Sequence, residues 1–150
     1  MKLTDVDFRF CQKPELPQVV ALLRSSELPY EDVSLQKITF LLAAAGEEII
    51  GCIGLEKYRD HGLLRSFAIK NGLRNQGIGS RLFEHFISYC LQKGVRNIHL
   101  FTVDAHEFFQ SRGFRLMERD SAPEAIKQTT EFTQLCPSTY CAYMARNIGD

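Results

Sequence analysis

The chain has 150 residues, 45% hydrophobic, 24% charged and 11% aromatic, which is the composition of an ordinary globular domain and excludes disordered, collagenous and fibrous classes. Eighteen basic residues balance eighteen acidic ones, so partners held by clustered positive charge, a nucleic-acid backbone or an anionic membrane, are not expected. Folding at this length removes roughly two thirds of the unfolded chain's surface from water, so a single domain over residues 1–150 is expected, with no metal or disulfide needed as a staple.

No apolar run approaches the roughly 18 residues of a spanning helix. The richest, Ile38 to Ala45, is far shorter, and Met1 to Phe10 carries Asp5, Asp7 and Arg9 where a secretory signal is apolar, so a cytoplasmic protein is expected. Cys11, Cys52, Cys90, Cys136 and Cys141 form no CxxC pair and have no histidine at metal-ligand spacing, which predicts buried free thiols and no metal site.

Val6, Phe8 and Phe10 alternate with Asp7 and Arg9 as in a half-buried strand, and Pro14 to Glu27 places Leu16, Val19, Val20, Leu22 and Leu23 at helical spacing. Tyr30 to Lys37 has no clear period. Ile38 to Ala45, a Gly46-Glu47 turn and Glu48 to Tyr58 read as a hairpin, followed by a turn over Arg59 to Gly62 and a strand over Leu63 to Lys70. From Gln76 to Lys93 the apolar face of a helix holds Ile78, Leu82, Phe83, Phe86, Ile87, Cys90 and Leu91, and Gly94 ends it. Arg96 to Val103 reads as a strand, Asp104 to Arg112 as a short helix ended by Gly113, and Phe114 to Met117 as a strand. Pro123 to Thr129 suggests a turn or two of helix, and Thr139 to Arg146 a closing strand. This order predicts an α/β sheet of mixed direction, because the helical crossover from Lys70 to Arg96 makes its flanking strands parallel.

The segment with chemical content is Asn71-Gly72-Leu73-Arg74-Asn75-Gln76-Gly77-Ile78-Gly79-Ser80, between a strand and a helix. A helix start presents unpaired N–H groups and partial positive charge, so a glycine-bearing loop there can wrap a phosphate, with Arg74 and Ser80 adding a charge-assisted contact and a hydroxyl. A plain strand-to-helix turn needing glycine is the competing reading. The loop lacks GxxxxGK[ST] and the three-glycine dinucleotide fingerprint, so another phosphate ligand is required.

Arg74-x-x-Gly77-x-Gly79 resembles the acyl-CoA pyrophosphate loop of the GCN5-related N-acetyltransferases (GNAT), and Ala105-x-x-Phe108-Phe109-x-x-x-Gly113-Phe114 resembles that family's later short helix and strand. The resemblance implies a single-domain, mostly antiparallel mixed sheet flanked by helices and splayed at an acyl-CoA slot, with acetyl-CoA as co-substrate. It further implies that backbone groups of Phe67, Ala68 and Ile69 line the pantetheine arm. Arg74, Asn75, Gln76, Gly77, Ile78, Gly79 and Ser80 would hold the pyrophosphate, and Phe108 or Phe109 would wall the slot. Gly54-Leu55-Glu56, Leu64-Arg65-Ser66 and Glu131-Phe132-x-x-Leu135-Cys136-Pro137-Ser138 are similar to acetyltransferases of bacterial arsenic-resistance operons, which implies a resistance role, although no residue forms an arsenic ligand set.

Acetyl transfer needs a neutral amine placed against the thioester, a stabilised oxyanion and an accommodated thiolate. Glu56 is the candidate base, the alternative being a solvated strand-end residue paired with Lys57 or Arg59. Arg65 and Ser66 interrupt an apolar strand. The guanidinium there needs an anionic partner, either a carboxylate on the substrate or an internal ion pair with Glu56 or Glu118. Arg119 is a second anion-binding candidate with a surface role as its alternative. Many family members carry tyrosine where Phe109 stands, so the thiolate takes its proton from solvent, from Ser111, Tyr140 or Tyr143, or departs unprotonated at a thiol pKa near 8.5. His61, His85, His99 and His106 share no spacing and read as solvated or incidental. The expected function is N-acetylation of a small, anionic, amino-acid-like primary amine. The alternatives are a noncatalytic acyl-CoA-binding regulatory module and a protein N-terminal or lysine acetyltransferase. The closing strand, expected at a sheet edge, is a possible homodimer surface.

Overall fold

A computed structural model describes residues 2–34, 37–136 and 140–149. The match at Pro137-Ser138 and the expected start of a strand at Thr139 lie outside the described residues. Among the described residues, seven strands form a sheet in the order β1-β2-β3-β4-β5-β7-β6. They are β1 (Asp7–Phe10), β2 (Thr39–Ala45), β3 (Glu48–Tyr58), β4 (His61–Ile69), β5 (Asn97–Thr102), β6 (Arg115–Met117) and β7 (Ala142–Asn147), interleaved with α1 (Leu16–Ser25), α2 (Ile78–Gln92), α3 (His106–Gln110) and α4 (Glu124–Lys127). The β4–β5 ladder is parallel, as a helical crossover requires, and β1–β2, β2–β3, β5–β7 and β6–β7 are antiparallel. No helix among the described residues is long and apolar enough to cross a membrane.

The chain divides into two compact units, Met1–Glu56 with Arg65–Tyr89 and Lys57–Leu64 with Cys90–Asp150. In the first unit, α1 starts with proline in its first turn and buries Val19, Leu22 and Leu23 in a cluster with Phe40, Leu42, Ala44, Ile49, Cys52 and Ala68. Each such aliphatic side chain contributes about 1.5–3 kcal/mol on removal from water. The β2–β3 hairpin turns at Gly46-Glu47, where Gly46 has φ +63° and Ala45 faces Glu48. Ile78, Leu82, Phe83 and Phe86 of α2 are buried, while the ring of Phe8 stacks on exposed His85 at 4.9 Å. Leu91, expected on the buried face, is 49% exposed, one residue before the helix ends.

In the second unit, β4 starts at His61, inside the expected turn. The cause is its ladder: His61, Gly62 and Leu63 pair with Asn97, Ile98 and His99, and the Asp60 carbonyl accepts from the N–H groups of Arg96 and Asn97. The expectation that the last strand lies at the sheet edge is corrected. β7 is flanked by β5 and β6, and the three-residue β6 is the edge. Leu63, Phe101, Ala122, Ile126, Cys136, Cys141 and Tyr143 form the core of this unit. The free-thiol expectation also fails for one pair, because Cys136 and Cys141, with Cα atoms 5.8 Å apart, are joined as a disulfide. A separation of five positions in sequence gave no hint of this, since bridging depends on how close the two Cα atoms come in the fold. Cys11, Cys52 and Cys90 are free.

Candidate functional site

The segment from the end of β4 to the start of α2 carries two left-handed residues in close succession, Asn75 at φ +65° and Gly77 at φ +86°. Alternation of this kind turns consecutive N–H groups inward as an anion-binding concavity, and the first turn of the following helix adds N–H groups with no carbonyl ahead of them. The Gly77 carbonyl accepts from the Arg81 N–H at 3.1 Å, which marks where the helical ladder begins. A Cβ on Gly77 would meet nothing nearer than Leu3 at 3.8 Å, so glycine is required there for its backbone conformation and not for space. Arg74 is exposed, its Nε donating to the Ile69 carbonyl at 3.4 Å, and Gln76 and Ile78 line a small hollow with Lys2, Leu3 and Val6.

Ser66 has φ +56° in the middle of β4. A non-glycine residue held there in the left-handed region stores about 1–3 kcal/mol of strain and persists only where its surroundings dictate it. The Ser66 carbonyl accepts from the Cys52 thiol at 3.2 Å, and the Lys70 N–H donates to the Ile50 carbonyl at 2.8 Å, so β3 holds the distorted strand at the kink and beyond it. Beyond it Ala68 is buried in the core of the first unit, with Phe67 and Ile69 half-buried on either side. The ladder of β4 with β5 ends at Leu63.

Glu56 is 2% exposed, which rules out the solvated strand-end reading. Its Oε2 accepts from Arg65 Nη1 at 2.8 Å, and Arg65 also binds both oxygens of Asp32, through Nη1 at 2.7 Å and Nη2 at 2.6 Å. The Arg65 Nε donates to the Ser66 hydroxyl at 3.1 Å. Of the alternatives for Arg65, the structure thus realises the internal pair with Glu56 and adds a partner that sequence reasoning missed. Asp32 lies in the stretch without a period, and the one available signal was its neighbour Val33, which anchors that loop in the α1 cluster. Two carboxylates around one guanidinium, all buried, form a unit whose loss of one member leaves an uncompensated charge, at a cost of about 3–5 kcal/mol.

In the second unit Phe109 is 4% exposed and packs edge-on against Phe108 at 5.1 Å and Phe114 at 5.5 Å, while half-buried Phe108 lies under the Arg112 guanidinium at 3.5 Å. The hydroxyls considered for the thiolate proton are in different states. Ser111 donates to the Phe108 carbonyl at 2.7 Å, Tyr140 is 82% exposed, and Tyr143 is buried with its hydroxyl 2.7 Å from His99 Nδ1.

Two histidines are brought together that the sequence left unrelated. His99 Nε2 lies 2.9 Å from His61 Nδ1, and His61 Nε2 lies 3.8 Å from Asp60. One proton arrangement satisfies every group: Tyr143 donates to His99, His99 to His61, and His61 points its N–H at Asp60. Burial and the facing His61 lower His99 to a pKa of about 4, and burial raises Tyr143 to about 12. The solvated reading therefore fails for His99, which is 4% exposed.

A mixed seven-strand sheet of this order, with a glycine-bearing turn between β4 and α2, defines an α/β protein. A model of the acetyltransferase (GNAT) family matches residues 7–114, and the chain belongs to that family. It is 28% identical over 88 residues to an uncharacterized N-acetyltransferase, CT2212, of Chlorobaculum tepidum, covering 58% of this chain and 56% of that protein. The chain thus spans about half the length of this curated relative. The fold is shared with N-acetylglutamate synthase of Neisseria gonorrhoeae, solved with coenzyme A and N-acetyl-glutamate, at TM-score 0.81 and 20% identity over 97% of this chain and 35% of that one. It is also shared with the ribosomal-protein-S18-alanine N-acetyltransferase of Escherichia coli, at TM-score 0.75 and 16% identity over 97% and 95% of the two chains.

Proposed function

We propose that this chain transfers an acetyl group from acetyl-CoA to the primary amine of a small amino-acid-like molecule by direct attack in a ternary complex. The observation that carries the reading is the cradle of Asn75 and Gly77 at the start of α2, in a chain matched by the acetyltransferase family. In this reading Arg74 to Ser80 grip the pyrophosphate through main-chain donors, and the backbone of Phe67 to Ile69 pairs with the pantetheine arm as an added strand would. In the same reading an N–H of the left-handed backbone at Ser66 stabilises the developing oxyanion.

Glu56 acts as base through water, because its own burial keeps an amine from touching it, and Arg65 with Asp32 holds it in one orientation. With Phe109 unable to donate, the thiolate leaves unprotonated or takes a solvent proton, which a thiol pKa near 8.5 allows. The location proposed is the cytoplasm, and the proposed place in arsenic or toxin resistance rests on the resemblance of the Gly54 and Leu64 segments.

The absence of a hydroxyl at Phe109 favours one second reading, a module that binds acyl-CoA without turnover. Thiol release from acetyl-CoA with a panel of amines separates the two: the enzyme releases coenzyme A with a subset of acceptors, and Glu56→Gln lowers kcat while leaving coenzyme A affinity in place. Tight binding with no release from any amine or peptide N-terminus would support the module instead.

A further inference from the structure

Arg119, where the sequence allowed either an anion contact or a surface role, is half-buried in the second unit. Its guanidinium carbon lies 4.4 Å from the centre of the Phe132 ring and 5.0 Å from that of Phe101. Phe101 in turn stacks on Tyr143 at 5.3 Å. Nη2 donates to the Phe132 carbonyl at 3.0 Å, but Nη1 is buried with no hydrogen-bond partner among the described residues. No ion pair to Arg119 occurs among the described residues, and its sequence neighbours Glu118 and Asp120 are exposed.

A covered, charged donor without an acceptor is uncommon, because it forfeits the hydration of that group without replacement. Aromatic faces stabilise the cation from above but accept nothing from the in-plane N–H groups, which stay directed outward from the guanidinium edge. The backbone that supplies Phe132 is itself unusual. Glu131–Leu135 is a single π-helical turn, closed by the Cys136 N–H donating to the Glu131 carbonyl at 2.8 Å and followed at once by the Cys136–Cys141 disulfide. Such turns are rare and concentrate at functional sites. Here the turn aims one carbonyl and one ring of the same residue at Arg119. Arg65, by contrast, already has two protein carboxylates.

We infer that Arg119 Nη1 is the donor of a carboxylate-binding site within the second unit, its fork preset by Phe132 and its cation screened by Phe101 and Phe132. The ligand class is a carboxylate, whose two coplanar oxygens match a guanidinium edge. It comes either from the amine acceptor of the proposed reaction or from a free carboxylic acid. The inference names the substrate class of that reaction only in the first case, and its binding test requires no acetyl-CoA.

The test uses the whole chain. Sodium glutamate and succinate are titrated against melting temperature and against the Arg119 side-chain N–H resonances, with sodium chloride at matched ionic strength as control. Both carboxylates should raise the Tm and shift the resonances, chloride should do neither, and the apparent Kd should weaken at least tenfold in Arg119→Lys, which keeps the charge but loses the fork. If the source is the acceptor, Arg119→Lys raises KM at least tenfold for amino-acid acceptors and leaves KM for carboxyl-free amines and acetyl-CoA unchanged. An unchanged KM ratio with the Tm effect retained assigns the site to a free carboxylate. Equal responses to chloride and carboxylate in the wild-type protein, or an undiminished response in folded Arg119→Lys, would overturn the inference. Failure of acetyl-CoA to bind would overturn the proposed reaction alone.

Discussion

Replacing Gly77 with valine tests the cradle directly. At φ +86° an L-residue pays about 1–2 kcal/mol of steric energy, more when β-branched, although the nearest foreign atom to the new Cβ is Leu3 at 3.8 Å. The folded protein should therefore survive, with a Tm lowered by about 2–8 °C at the 2–4 °C per kcal/mol typical of this size. Relief of the strain comes from rotating the loop, and that turns the inward N–H groups away from the phosphates. Charge-assisted hydrogen bonds are worth about 1.5–3 kcal/mol each, so losing two costs at least about a hundredfold in coenzyme A affinity. Gly94→Val is the control. It imposes similar strain at φ +79°, again without a clash, at the opposite end of the same helix, roughly 25 Å away along its axis. Isothermal titration calorimetry with coenzyme A should give a weakened Gly77→Val and an unaffected Gly94→Val. Equal affinity of wild type and a folded Gly77→Val protein would refute the assignment of the loop to the pyrophosphate.

Three further outcomes follow from the buried groups. Arg65→Met strands Glu56 and Asp32 without their cation and should destabilise by about 3–5 kcal/mol in urea, most of it recovered when Asp32→Asn and Glu56→Gln are added; a loss below about 1 kcal/mol would show that the triad is not buried as described. His99 titrates near 6.5 when unfolded and at about 4 when folded, so between those values the unfolded chain binds the extra proton. Stability contributed by neutral His99 is complete above pH 6.5 and is lost as the pH falls toward 4, by about 2–3 kcal/mol, and His99→Gln should flatten that part of the stability–pH curve. Reduction of Cys136–Cys141, which spans five positions, should cost about 2 kcal/mol from the freed loop, read as a lower urea midpoint that Cys136→Ser reproduces and that reductant then leaves unchanged.

Periodicity, glycine placement and motif spacing carried most of the architecture. The β2–β3 hairpin, the α2 stripe of Ile78, Leu82, Phe83 and Phe86, the parallel crossover and the Arg74-x-x-Gly77-x-Gly79 loop are local patterns, and local patterns are written in neighbouring residues. Tertiary structure decided whatever depends on residues distant in the chain. Asp32 reaches Arg65 across 33 positions, His99 meets Tyr143 across 44, and the edge of the sheet passed to β6 because β7 pairs on both sides. Arg119 shows the division most plainly: its charge is visible in the sequence, but its cage of Phe101 and Phe132 is not. A guanidinium's chemistry depends on which dipoles and rings surround it, and those arrive only when separate elements pack together.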